Sequence, residues 1–189
     1  CSIMKADGTI LARKFIDFTS DKDRMIHAMN RTRRKQSKYG PKSTRGLWAY
    51  VKRLNEDRAK KISAAIVEFA SQHSVDAIVM EHLDFKGCKK RGSKAQRLSM
   101  WNHGIIREKV EQKAHLLGIR IATICAWKTS ALAFDGSGSV TRDDNNHALA
   151  TFTTGKQYNC DLSASYNIGA RYFILSLIHI SEPTRPISI

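Results

Sequence analysis

The sequence predicts an α/β fold, a mixed sheet flanked by helices, and three observations carry that expectation. First, Asp7-Gly8 sits between two short β-prone runs, "CSIM" and "ILARKFIDF", the pattern of an antiparallel hairpin. Second, "VDAIVMEHL" and "IRIATICAW" are apolar at successive positions through their centres, as interior strands covered on both faces by helices are. Third, long stretches around them repeat apolar residues at helical spacing. With 189 residues and a 42% hydrophobic fraction, the chain has the size and composition of one domain with its own core.

Taken in order, the hairpin is followed by residues 19–45, which are polar and hold no acid after Asp23, so they read as a basic connection. From Leu47 a helical period runs through Val51, Leu54, Ile62, Ile66 and Phe69. The strand "VDAIVMEHL" comes next, then a second basic loop, "KGCKKRGSKAQR". Trp101, Ile105, Val110, Ala114 and Leu117 mark another helix, which Gly118 stops. Trp48 and Trp101, both in helical stripes, read as core. After "IRIATICAW", residues 129–157 are rich in Gly, Thr and Asp and read as a loop or small insert, and a last helix begins near Asp161. No internal repeat is present. Residues 175–185, "LSLIHISEPTR", resemble the translation of a sequencing-library adapter, so residues 175–189 are expected to be a non-native tail outside the fold.

Lys and Arg number 32 against 17 Asp and Glu, a formal net charge of +15. Such an excess calls for a polyanionic partner, nucleic acid first. The two basic segments, 31–45 and 86–97, carry no interleaved acid and are predicted to track a phosphate backbone through Arg31, Arg33, Arg34, Lys35, Lys38, Lys89, Lys90, Arg91 and Lys94. No apolar run approaches the roughly 20 residues of a membrane span, no signal peptide is present, and the basic residues do not lie on an aromatic-studded amphipathic helix. Cys1, Cys88, Cys125 and Cys160 form no CxxC pair, and read as reduced thiols of a cytoplasmic protein.

Two acids stand out. Glu81 ends an otherwise apolar strand, where a carboxylate can face a cleft at the sheet edge. Its ordinary reading is a solvated strand-end acid. Asp161 opens a helix of small and apolar residues, and its ordinary reading is an N-cap. Asp84 reads as a turn or cap residue. Considered together in a basic α/β domain, Glu81 and Asp161 suit phosphodiester hydrolysis by two Mg²⁺ ions, which need oxygen ligands from several converging carboxylates. Two acids are too few, so a third is expected upstream.

"IVMEHLDFKG", "AWKTS" and "CDLSASYNIGAR" resemble motifs of the TnpB (OrfB) proteins of insertion sequences and, more distantly, of type V CRISPR effector nucleases. The resemblance runs from Cys1 to about Ile174. It implies a RuvC-like nuclease domain of the ribonuclease H fold, with the second motif's glutamate on Glu81 and the third motif's aspartate on Asp161. Asn167 and Arg171 match the helix of that third motif. By the same resemblance the cofactor is Mg²⁺, two ions in an intact parent, the partners are a DNA target and a guide RNA, and the compartment is the prokaryotic cytoplasm. The family's first aspartate, on a strand preceding the hairpin, has no counterpart. The chain is therefore expected to be a fragment, residues 1–174 of a domain lacking its first strand, and inactive as it stands. Where the family carries two CxxC pairs, residues 129–160 hold "LAFDGSG" and a single Cys160. Cys125, Cys160 and His147 make no credible ligand set, so a degenerate ribbon without zinc is expected.

Two other readings fit the same residues: a non-catalytic nucleic-acid-binding protein on this fold, and a resolvase or integrase that needs no guide. An upstream aspartate would separate the first from the nuclease, and co-purifying RNA would separate the second.

Overall fold

The computed structural model describes residues 1–83, 102–146 and 148–181. Asp84, Cys88, Lys89, Lys90, Arg91, Lys94, Trp101 and His147 therefore lie outside the described residues, as does the end of the tail. The elements run β1 (Ser2–Met4), β2 (Ile10–Arg13), α1 (Thr19–Tyr39), a 3-10 turn (Pro41–Thr44), α2 (Arg45–Gln72), β3 (Ala77–His82), α3 (His103–Leu116), β4 (Arg120–Cys125), β5 (Thr141–Arg142), β6 (Leu149–Thr151), β7 (Gln157–Asn159) and α4 (Cys160–Ser181). They fall into two compact units. One holds Cys1–Lys14, Val75–Leu83 and the chain from Arg120 on; the other holds Phe15–Ser74 and the chain that ends at Ile119.

In the first unit the strands form three small sheets. β1 and β2 pair antiparallel, β3 and β4 pair parallel, and β5, β6 and β7 form an antiparallel three-stranded sheet in that order. The first hairpin turns where the sequence predicts. Gly8 takes a φ of +86°, and the Asp7 carboxylate accepts the Thr9 N–H at 2.8 Å. β3 and β4 match Ala77 with Arg120 through His82 with Cys125, so Glu81 stands at the C-terminal end of the pair, opposite Ile124. α4 packs on β1, β3, β4 and β7. It approaches β1 closely at Gly169, where an added Cβ would come within 2.9 Å of the Met4 sulfur.

The 129–157 segment is more regular than its composition suggests. Its three strands enclose a core of Ala133, Ala150, Phe152 and Cys160, flanked by Phe134, Val140 and Tyr158. The Phe134 ring stands edge-on to Phe152 and Tyr166, with centroids 5.6 and 5.1 Å away. Strands of two or three residues are too short to leave an alternating pattern.

In the second unit, residues 19–39 are a helix, not the connection expected from their polarity. Met25, Met29 and Thr32 face inward at helical spacing, with Val51 of α2 and, partly, Ala28 and Trp48 around the two methionines. The stripe escapes a periodicity reading because one of its positions is a threonine. Thr32 is buried without penalty because its hydroxyl bonds the Ala28 carbonyl at 2.8 Å. α2 and α3 pack together through small residues, Ala59, Ser63 and Ala114, none more than 1% exposed. Asn55 and Asn102 exchange hydrogen bonds at 2.8 and 2.7 Å at the start of α3. Gly118 does end α3. With φ +69° it sends its N–H to His115, and Ile119 sends its own to Ala114, which closes a Schellman motif.

α4 runs on to Ser181, into the segment expected to be a non-native tail outside the fold. Between Leu175 and Ser181 there is neither Gly nor Pro to break it, and the first proline comes at Pro183.

Candidate active site

Glu81 is half-buried and is not a freely solvated strand-end acid. The hydroxyl of Thr129 donates to its Oε1. Thr129 is 2% exposed, and the same hydroxyl lies 3.1 Å from the Ala126 carbonyl. Of the two acceptors the carboxylate is the stronger. Thr129 belongs to the turn that follows β4, the "AWKTS" segment, and α4 holds this turn at several points. Asn167 spends both amide hydrogens on it, at 2.8 Å to the Thr129 carbonyl and 2.8 Å to the Leu132 carbonyl. Arg171 donates through Nη1 to the carbonyls of Cys125 at 2.6 Å and Trp127 at 3.0 Å. Asn167 and Arg171 are four residues apart, so they share a helix face. Their motif match thus has a physical content that spacing alone did not reveal: they fix the turn that delivers a donor to Glu81. Thr129 itself was missed, because one threonine in a polar turn carries no sequence signal.

Asp161 is not the N-cap its position suggested. Asn159 occupies that role, accepting the Leu162 N–H on its Oδ1 at 3.0 Å. Asp161 instead sits exposed in the first turn of α4, where the helix dipole favours an anion. It stands near the start of β1. Partial burial pushes the Cys1 amino group below its ordinary pKa, and the Asp161 carboxylate opposes that shift.

Both acids therefore lie in one unit, on elements that pack together. Glu81 reaches α4 through Thr129 and Asn167, and about 9 Å of helix rise separates Asn167 from Asp161. Among the described residues, no group of three or more His, Cys, Asp or Glu side chains is placed to hold a metal ion. Two carboxylates alone do not fit a two-ion site. Cys160 is buried in the apolar core of the insert, and Cys125 is exposed at the end of β4.

The basic residues sort by helix face. His27, Asn30, Arg31, Arg34, Lys35 and Lys38 line one open concavity along α1, at positions that repeat every three or four residues. Arg33 is not on this face; it is half-buried and already has a partner. Among the described residues no helix is long and apolar enough to cross a membrane.

No protein-family model and no curated protein matches the sequence. Among solved structures, the chain is similar to one in the cryo-EM structure of the Cas12f1-sgRNA-target DNA complex, with a TM-score of 0.62 and 18% sequence identity. The match covers 85% of this chain and 45% of that one, so the chain spans less than half the length of this neighbour. The likeness is one of fold, and the fold is α/β, of the ribonuclease H-like class.

Proposed function

We propose that this chain is the RuvC-like part of an RNA-guided DNA endonuclease of the TnpB kind, from a mobile element. The observation that carries the reading is the division of labour at the start of α4. Asn159 caps the helix, so the exposed Asp161 carboxylate is not used as the N-cap. Glu81, held by the Thr129 turn, is the second acid of the same unit. The Cas12f1 neighbour, solved with guide and target, supports RNA and DNA as partners, and the α1 stripe supplies a surface for a phosphate backbone. The two acids do not by themselves complete a site for two Mg²⁺ ions. The reading requires a third carboxylate on a strand outside this sequence, and an insert that folds on its apolar core without zinc. Binding to DNA and guide RNA is tested with this chain. Cleavage is tested in a longer reading frame that supplies the third acid. There Glu81→Ala and Asp161→Ala should each abolish divalent-dependent cutting and leave binding nearly intact. Full cleavage by Asp161→Ala would refute the assignment.

A non-catalytic nucleic-acid-binding protein on the same fold is the second reading, favoured by the lack of a three-acid cluster among the described residues. A longer frame that binds but never cuts would decide for it.

A further inference from the structure

The turn after β4 is fastened from α4 at four carbonyls, those of Cys125, Trp127, Thr129 and Leu132, yet it displays a large aromatic side chain to solvent. Trp127 is 67% exposed. The backbone that carries it is pinned at its own carbonyl by Arg171. Beside it, Lys128 adopts a φ of +55°, a left-handed conformation costly for a residue with a Cβ. The Lys128 ammonium lies over the indole, 4.6 Å from its centroid. The turn thus offers an exposed indole with a cation over its ring, two residues or fewer from the threonine that bonds Glu81. Pairing of β3 with β4 sets it at the same end of the strands as that carboxylate.

We propose that Trp127 is a stacking platform for an unpaired nucleobase, with Lys128 meeting a neighbouring phosphate, so that a single strand is held by its backbone beside Glu81. The choice of nucleic acid rests on the function proposed above; the placement of the platform does not. A flat π-face with an adjacent cation is the chemistry that binds single strands irrespective of sequence. In a duplex the faces of the bases are occupied by their neighbours, so the platform is selective for unpaired segments. A protein partner would be drawn to the same indole but has no need of the cation, and a chain of net charge +15 favours the polyanion.

The test is binding of this chain to a labelled oligothymidylate of about 12 nucleotides and to a duplex of the same length, in EDTA so that no metal chemistry intervenes. Trp127→Ala should weaken the single-strand complex by about tenfold or more and leave the duplex affinity within about twofold. Trp127→Phe should restore most of the loss. The salt slope should be unchanged by Trp127→Ala and reduced by about 0.7 in Lys128→Ala. Because Trp127 is exposed and only its backbone carbonyl accepts a hydrogen bond from α4, Trp127→Ala should keep the wild-type circular dichroism spectrum. A Trp127→Ala protein that binds the single strand as tightly as wild type overturns the platform and leaves the indole to a protein partner. So does an equal loss for strand and duplex, or a loss that phenylalanine does not rescue. Wild-type protein that binds neither nucleic acid overturns the proposed function as well, so the two failures are distinguishable.

Discussion

Replacing Thr129 by valine removes one hydroxyl and little else, and its consequence should depend on Glu81. The hydroxyl donates to a carboxylate from a position that is 2% exposed, so water cannot replace it from the threonine side. Hydrogen bonds to charged groups contribute about 1.5–3 kcal/mol, and the half-buried Glu81 recovers part of that from solvent, which leaves an expected cost of about 1–2 kcal/mol. With a urea m-value of about 2 kcal/mol/M, the unfolding midpoint should fall by about 0.5–1 M. A double-mutant cycle isolates the interaction. Glu81→Met keeps the side-chain length and removes the acceptor, so Thr129→Val made in that background should cost about 1 kcal/mol less. Thr129→Ser should behave as wild type. Two substitutions that add within about 0.3 kcal/mol would show that the turn and the carboxylate are independent, and the account of Asn167 and Arg171 as supports for Glu81 would fall with it.

Further expectations follow from the same contacts. Asn159→Ala should destabilise the protein by about 1 kcal/mol through loss of the α4 cap, as read from urea midpoints. Nucleic-acid affinity should fall by about 10³-fold between roughly 50 and 200 mM salt if six or more phosphates are contacted. Arg31→Ala or Lys38→Ala should each lower that slope by about 0.9, whereas Arg33→Ala, off the stripe, should not. Burial first, then the Tyr158 hydroxyl 3.2 Å away, pushes the Tyr166 phenol up to about 12. The native state therefore holds this proton where an unfolded tyrosine, with a pKa near 10, releases it. Stability should fall as pH rises from about 10 toward 12, and Tyr166→Phe should flatten that part of the profile.

The parts legible in the sequence are those with a local cause. Asp7-Gly8 fixes a hairpin by turn chemistry, Gly118 ends a helix by its free φ, and the two apolar runs become the parallel pair. α1 was not legible, since its buried face is two methionines and a threonine, and threonine reads as polar until its hydroxyl finds a carbonyl four residues back. The insert's sheet was hidden by the brevity of its strands and is held by aromatic packing that residue spacing does not encode. In the candidate site, Glu81 and Asp161 were named in advance, but their surroundings were not. The partners that matter, Thr129 to Glu81 and Asn167 to Thr129, are 48 and 38 residues apart.

Asn159 and Asp161 show why one aspartate could not be interpreted from position alone. A helix start offers room for one side chain to accept the N–H of the third helical residue, and either residue could have taken it. With Asn159 in that place, the Asp161 carboxylate is left to solvent, where the dipole of α4 steadies its charge by a few tenths of a kcal/mol to about 1 kcal/mol. Glu81 is the opposite case, half-buried and tied through Thr129 to the helix that packs on its strand. The two acids should therefore separate on substitution. Asp161→Asn should shift stability by less than about 1 kcal/mol, whereas Glu81→Met should disturb both the turn and the helix contacts behind it. If the pair serves one chemistry, each loss should be equally fatal to cleavage in a longer frame despite this inequality in stability. An Asp161→Asn protein as destabilised as Glu81→Met would mean that Asp161 is a structural residue after all.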